Sequence, residues 1–260
     1  MKQLLYSQLG RPAFQPMYDR LLGYLLRLKG YNNYPEKGGD LDLSGENWFI
    51  ANVLAQQCGV CLDIGANKGE YSLELLRNTP ATQVYSIEPL PQELAVLRTR
   101  LAPYAQRCVI VPCAISNVSG KATLRYNPSA TETASISAAT NGSAYRHDSE
   151  VTVNAMTIDD LVAHYNIAAV DFIKIDVEGA EMLCLQGARR TIERLRPRFI
   201  QLEFHWHHLF GTTSVHVMQE HLNGYRAYRL LPKGFCRIDA RSTLDNIYAY
   251  SNIVFARDAL

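Results

Sequence analysis

The stretch Val60-Cys61-Leu62-Asp63-Ile64-Gly65-Ala66-Asn67-Lys68-Gly69-Glu70 constrains this chain more than any other. A short apolar run carries one carboxylate near its end. A turn with two glycines follows, and an amphipathic segment begins at once. A buried strand that delivers a binding loop to the N-terminus of a helix has this form. Gly65 permits a close backbone turn, and Gly69 lets the helix start near a ligand. Asp63 bears on which ligand: a carboxylate at that strand tip repels a pyrophosphate and attracts a cation. A dinucleotide-binding turn also carries a third glycine where this chain has Asn67.

The rest of the chain continues the alternation. Apolar runs at 60–64, 83–87, 108–112, 172–176 and 199–204 read as strands, and 69–77, 91–102, 157–165, 179–187 and 214–223 read as helices. Such βαβ alternation implies a mostly parallel sheet with helices on both faces. The runs 225–230 and 247–255 have no helix between them and are expected to pair antiparallel at one sheet edge. Residues 121–126 and 151–153 read as a small inserted hairpin. Its Ser-, Thr-, Ala- and Asn-rich connector, 127–150, is expected to be a mobile loop or a lid over substrate. Residues 1–43 carry leucines at partly helical spacing, interrupted by Pro12 and Pro16, and then a polar loop. They are expected to form an N-terminal helical cap or lid on a main domain of 44–260, whose first helix opens at Ser44-Gly45-Glu46.

Composition narrows the function classes. With 260 residues, 47% apolar and 20% charged, the chain can bury a full α/β core. A net charge of +1 argues against nucleic-acid binding by general electrostatics. No run of 18 apolar residues occurs, and the start lacks the features of a secretory signal. The six cysteines are scattered, and the Cys58/Cys61 pair has no second pair at zinc-ligand spacing. Reduced thiols and a cytoplasmic location are expected.

Three further elements carry chemistry. Glu88, before Pro89, ends the second strand about 20 residues after the glycine turn, where an acid accepts hydrogen bonds from ribose hydroxyls. Asp176 ends the fourth strand, with Glu178 two residues on. In open α/β sheets the ligand crevice lies outside the strand tips, so Asp63, Glu88 and Asp176 are expected to converge on one rim. Three such carboxylates need a cation, and S-adenosylmethionine supplies a sulfonium and an ammonium. At the fifth strand's end, Glu203 and His205 share a face and read as orienting acid and base, as metal ligands with Asp176, or as a histidine cluster with no chemistry. No metal site is assigned; a divalent ion held by Asp176 with Glu203 or His205 stays open as a variant.

These residues together resemble the FkbM family of S-adenosylmethionine-dependent methyltransferases. The resemblance is carried by Leu62-Asp63-Ile64-Gly65-Ala66-Asn67-Lys68-Gly69, Ile87-Glu88-Pro89, Ala114-Ile115-Ser116-Asn117, Thr157-Ile158-Asp159-Asp160-Leu161 and Ile173-Lys174-Ile175-Asp176-Val177-Glu178-Gly179-Ala180-Glu181. It covers about 44–255 and leaves 1–40 without a matching motif. It implies a Rossmann-like class I methyltransferase fold, a seven-stranded sheet with its last strand antiparallel. It also implies that Asp63 and the loop Gly65, Ala66, Asn67 and Gly69 hold the methionine end of the cofactor. Glu88 and Pro89 would lie at the ribose, Ser116 and Asn117 would border the adenine, and Asp176 would sit near the amino group and the reactive methyl. Family members mostly methylate oxygen, often on sugars or natural products. O-methylation of a glycan or small-molecule hydroxyl is therefore expected, with Asp176, Glu178 or His205 as base. Carboxylate methylation is the alternative, and an NAD-dependent oxidoreductase or a non-catalytic cofactor-binding protein are the rivals from other classes.

Overall fold

The structure, a computed structural model, describes residues 2–32, 41–137 and 147–258. In chain order the strands are β1 (Val60–Ile64), β2 (Gln83–Ile87), β3 (Cys108–Val111), β4 (Ala114–Ile115), β5 (Gly120–Asn127), β6 (Ala130–Ser135), β7 (Ser149–Met156), β8 (Phe172–Ile175), β9 (Phe199–Phe204), β10 (Arg226–Leu231), β11 (Gly234–Arg237) and β12 (Ser251–Ala256). The helices are α1 (Lys2–Leu9), α2 (Gln15–Leu28), α3 (Glu46–Asn52), α4 (Glu70–Asn78), α5 (Pro91–Leu101), α6 (Ile158–His164), α7 (Glu181–Gln186), α8 (Arg189–Leu195), α9 (His207–Phe210) and α10 (Val215–His221).

The main sheet has the order β11-β10-β12-β9-β8-β1-β2-β3. β1 pairs in parallel with β2 on one side and β8 on the other, so the strand order reverses at β1. Ligand crevices of open α/β sheets lie at such a reversal, beyond the strands' C-terminal ends. The apolar positions of β1, β8 and β9 alternate between two cores. Leu62, Ile173 and Ile200 pack with Leu161, Leu185 and Met218 from α6, α7 and α10. Cys61, Phe172 and Phe199 pack on the other face with Phe49, Leu75 and Leu97 from α3, α4 and α5.

The carboxyl-terminal half of the sheet differs from the expected arrangement. It has eight strands rather than seven, because Gly234–Arg237 folds back on β10 as an added edge strand. β12 lies inside the sheet, antiparallel to both β9 and β10. All six of its residues are buried, which its Ile253-Val254-Phe255 run satisfies on both faces. The inserted hairpin is part of a second, four-stranded sheet of order β4-β7-β5-β6. Its β6 falls in the first part of the expected loop, where alternating Thr131, Thr133 and Ser135 are buried. Residues 138–146 of that expected lid lie outside the described residues.

Among the described residues of the amino-terminal segment, α2 buries no side chain, whereas Tyr31 and Leu41 pack into the domain. Pro12 separates α1 from α2, but Pro16 sits in the first turn of α2, where no intrahelical N–H is lost. No residue of α2 is buried, and Met17, Leu21, Leu22, Leu25 and Leu28 are all exposed. The link to the domain comes after the helix: buried Tyr31 lies under the Arg229 guanidinium, 3.9 Å from its ring centre, and donates to the Leu244 carbonyl at 2.8 Å. No helix among the described residues is long and apolar enough to cross a membrane. Deleting residues 1–24 is expected to change the unfolding free energy by no more than about 0.5 kcal/mol. Urea unfolding checks this; a loss above about 2 kcal/mol would show that α2 packs on the domain after all.

Candidate functional site

A cavity of about 710 Å³ opens at the strand reversal. Gly65, Ala66, Asn67, Glu88, Pro89, Asp176, Glu178 and His205 all line it, so most of the expected site residues meet at one rim. The loops after β1 and β8 touch there. Gly65 has φ +83, and a Cβ on it would lie 1.7 Å from the Asp176 carbonyl oxygen, so no other residue fits. The Gly65 and Ala66 N–H groups both donate to the Ile87 carbonyl at 3.0 Å. Glu88 fastens the turn from the other side. Its two oxygens accept from the Asn67 N–H at 2.9 Å and the Leu90 N–H at 2.7 Å. Burial raises the Glu88 carboxyl to about 7, with those two N–H groups opposing the shift.

Four expected cofactor residues do not line the cavity. Asp63 is fully buried beneath it, on the side of the sheet that α4 covers. Its Oδ2 accepts from Ser72 Oγ of α4 at 2.6 Å, and Ser72 also meets Ser86 Oγ of β2 at 2.5 Å. Burial raises its carboxyl, and the Lys174 ammonium and Ser72 oppose that. Gly69 caps α4 at φ +85, and its missing Cβ makes room for Leu97 Cδ1, which allows the close α4–α5 contact. Ser116 donates its N–H to Met156 in the second sheet's ladder, and its carbonyl lies against Gly187. Asn117 turns outward to Gln186 Oε1 at 3.2 Å. The wall expected of those two is made just before them, by Cys113, Ala114 and Ile115.

A buried cation, Lys174, also lines this cavity and is not among the expected site residues. It lies two residues before Asp176 on β8 and therefore on the same face. It also sits directly opposite Asp63 on β1. Its Nζ donates to Asp176 Oδ2 at 2.8 Å and lies 5.0 Å from the Tyr71 ring centre. Burial alone would lower its pKa; Asp176, Asp63 and Glu46 together raise it above the ordinary value. Next along the row, Gln201 of β9 donates to Glu46 Oε1 at 2.8 Å and to Asn252 Oδ1 at 3.1 Å, and accepts from Tyr71 Oη at 3.0 Å. Ser44 Oγ donates to the other Glu46 oxygen at 2.7 Å.

The far end of the cavity holds acids and histidines. Glu178 takes the left-handed conformation, φ +53, which costs a non-glycine residue about 1 kcal/mol or more. Its Oε2 lies 3.0 Å from His207 Nδ1 and 3.5 Å from His205 Nε2. Glu203 Oε1 lies 3.5 Å from the same His205 nitrogen. Burial, then Asp176, holds both glutamates well above the usual carboxylate range. Burial pushes His205 down to about 4 and His207 to about 3. Glu203 and His205 were expected together by period two, whereas His207 had no signal of its own beyond the His-Trp-His-His string. Trp206 and Tyr250 also line the cavity, as do residues 130–134 of β6, where Thr131 donates to Glu93 of α5 at 2.6 Å.

Beneath it, Glu181 Oε2 meets His208 Nε2 at 2.8 Å with both side chains buried. Its Oε1 accepts from the Val177 and Gly179 N–H groups at 3.0 and 3.3 Å, holding the turn that presents Glu178.

The model of the methyltransferase FkbM domain matches residues 63–230 of the chain. The 2-O-methyltransferase NoeI of Sinorhizobium fredii is 27% identical over 198 residues, covering 71% of this chain and 79% of that protein. The hexuronic acid methyltransferase AglP of Haloferax volcanii is 25% identical over 195 residues, covering 73% and 74%. The 31-O-demethyl-FK506 methyltransferase FkbM of Streptomyces tacrolimicus is 26% identical over 152 residues, covering 49% of this chain and 58% of that protein.

Two outcomes follow from the buried charges. Lys174→Met leaves Asp63, Glu46 and Asp176 without their counter-ion and should destabilise the fold by about 3–5 kcal/mol in urea unfolding; adding Asp63→Asn should recover part of that loss. Glu181 is held down to about 2, His208 outweighing burial, against an ordinary 4.5. A depressed carboxyl stabilises fully above its unfolded pKa and loses that contribution as pH falls through its folded one. Stability should therefore drop between about pH 4.5 and 2, and Glu181→Gln should flatten that part of the pH profile.

Proposed function

The chain belongs to the FkbM methyltransferase family, and we propose that it methylates a hydroxyl oxygen of a sugar or similar small acceptor, with S-adenosylmethionine as methyl donor. The observation that carries this reading is the division of one cavity into two ends that meet at Asp176. One end has the glycine turn, Glu88 and an apolar wall of Cys113, Ala114, Ile115 and Leu124. The other has Glu178, Glu203, His205 and Trp206. The first suits an adenosyl ligand: an acid for ribose hydroxyls, apolar sides for a base, and acids for a cationic amino-acid end. Bound there, S-adenosylmethionine supplies a methyl group on a positively charged sulfur.

The chain's own contribution is positioning and proton removal. The backbone of Gly65, Ala66 and Asn67 borders the methionine portion, Glu88 takes the ribose, and Asp176 stands between donor and acceptor ends. Asp63 acts at one remove: it holds Lys174, and Lys174 holds Asp176. The acceptor oxygen would form its bond to the methyl carbon as the carbon–sulfur bond breaks with its electron pair left on sulfur, so that S-adenosylhomocysteine departs and the hydroxyl proton goes to the protein. Glu203 takes it, because its carboxylate lines the cavity between Asp176 and His205. His205 is less suited, since its Nε2 is already enclosed by Glu178, Glu203 and His207 at 3.5, 3.5 and 3.0 Å. Enclosure also excludes water and fixes the reacting pair.

A hydroxyl acceptor fits better than a carboxylate, because Asp176 repels an anion and burial already disfavours negative charge at Glu178 and Glu203. The same acids, with a net charge of +1, speak against a nucleic-acid acceptor. The relatives' own acceptors, a 2-O position, a 31-O position and a hexuronic acid, support an oxygen acceptor and, through the last, a sugar.

The test is transfer of labelled methyl from S-adenosylmethionine to a panel of sugars, glycans and hydroxylated natural products. Label is expected in an alkali-stable ether. Binding of S-adenosylhomocysteine without transfer to any acceptor would instead support a non-catalytic protein, and an alkali-labile product would support carboxylate methylation. Glu203→Gln should lower kcat by about 10²-fold or more while S-adenosylhomocysteine affinity stays within about twofold. Glu88 at about 7 is an anion only above that pH. S-adenosylhomocysteine affinity should therefore rise as pH rises through about 7, and Glu88→Gln should remove this dependence and weaken binding about 10- to 100-fold, as calorimetry will show.

A further inference from the structure

We infer that Glu178, His205 and His207 form a binding site for one divalent transition-metal ion at the acceptor end of the cavity. Three donor atoms from three side chains lie close together. Glu178 Oε2 lies 3.0 Å from His207 Nδ1, His207 Nδ1 lies 3.0 Å from His205 Nε2, and His205 Nε2 lies 3.5 Å from Glu178 Oε2. Donors about 2.1 Å from a metal stand about 3.0 Å apart at right angles and about 3.4 Å apart at tetrahedral angles. The observed triangle has those edges, so an ion just off its plane reaches all three donors. Two imidazoles and one carboxylate on one face are a donor set for first-row divalent ions.

Protons account for the triangle less well. The 3.5 Å edge between Glu178 and His205 is beyond ordinary hydrogen-bond length. Both rings are almost wholly enclosed, with 5% and 1% of their side-chain surface exposed, while Glu178 opens to the cavity. An ion there would have its protein ligands on the buried side and its free positions towards the acceptor. Asp176 and Glu203 stand beside it, their carboxylates within 4.8 Å of that of Glu178. They supply negative charge close by, or a water-bridged outer contact. Lys174 does not compete for the triangle, because its ammonium is engaged at Asp176.

The presence of the ion rests on geometry alone; its use rests on the proposed methyl transfer. Coordinated to the ion, an acceptor hydroxyl is both oriented and made more acidic, and its proton passes to Glu203, which lies outside the triangle. Imidazole donors make a transition ion preferable to Mg²⁺ or Ca²⁺.

The experiment uses the full chain without a histidine tag, stripped with chelator and titrated with Mn²⁺, read by calorimetry and by the Mn²⁺ resonance signal. One ion per chain is expected, held more tightly than Mg²⁺. His207→Gln and Glu178→Gln should each weaken binding by at least tenfold while S-adenosylhomocysteine affinity stays unchanged, which separates a lost ligand from a lost fold. No stoichiometric binding, or equal binding by wild type and both variants, would overturn the site. If Mn²⁺ binds as expected but the loaded protein methylates no acceptor in the panel, the ion site stands and the methyl-transfer reading falls.

Discussion

A single buried ammonium, that of Lys174, holds the site together. An ammonium without water is costly, by several kcal/mol even after relaxation, unless carboxylates surround it. Asp176, Asp63 and Glu46 do so from three different segments. The arrangement works in both directions. The acids keep Lys174 charged, and Lys174 allows acids to sit where burial would otherwise neutralise them. Asp176, the one at the cavity, is thereby held in place at the strand reversal.

The ammonium is one member of a polar row that crosses the sheet. Ser86, Asp63, Lys174 and Gln201 stand directly opposite one another on β2, β1, β8 and β9. Side chains from α3 and α4 close the row from above, through Glu46, Tyr71 and Ser72. In a low-dielectric interior such a network is rigid when its members are satisfied. It ties the two helices to the strands whose ends form the cavity. The strand-tip acid of the glycine motif thus acts from beneath the cavity, as a counter-ion, and not as part of its wall.

The acceptor end is built differently. Its residues come from the turn after β8, the end of β9, β6 of the small sheet, and Tyr250 before β12. Glu181 and His208 anchor two of these segments to each other below the cavity. Under the proposed function acceptor choice rests on that end, and relatives at 25–27% identity are named for different acceptors. A shared donor end with a separately assembled acceptor end fits that difference.

The alternation of apolar runs and helical segments, the glycine turn and the acids at strand tips determined the fold class and that the glycine turn, Glu88 and Asp176 meet at one rim. Those signals are local: period two, period 3.6 and left-handed backbone are set by residues within a few positions of one another. Even the pairing of Lys174 with Asp176 is legible at a spacing of two, which puts both on one strand face. Tertiary structure alone decided that Asp63 faces inward, that Ser116 and Asn117 miss the cavity, that β6 forms a wall, that α2 stands clear of the domain, and that His207 turns to Glu178. Each depends on which strands lie side by side and in what register, as in Asp63 opposite Lys174. Neighbours of that kind are made by packing between distant segments, and no short-range pattern encodes them.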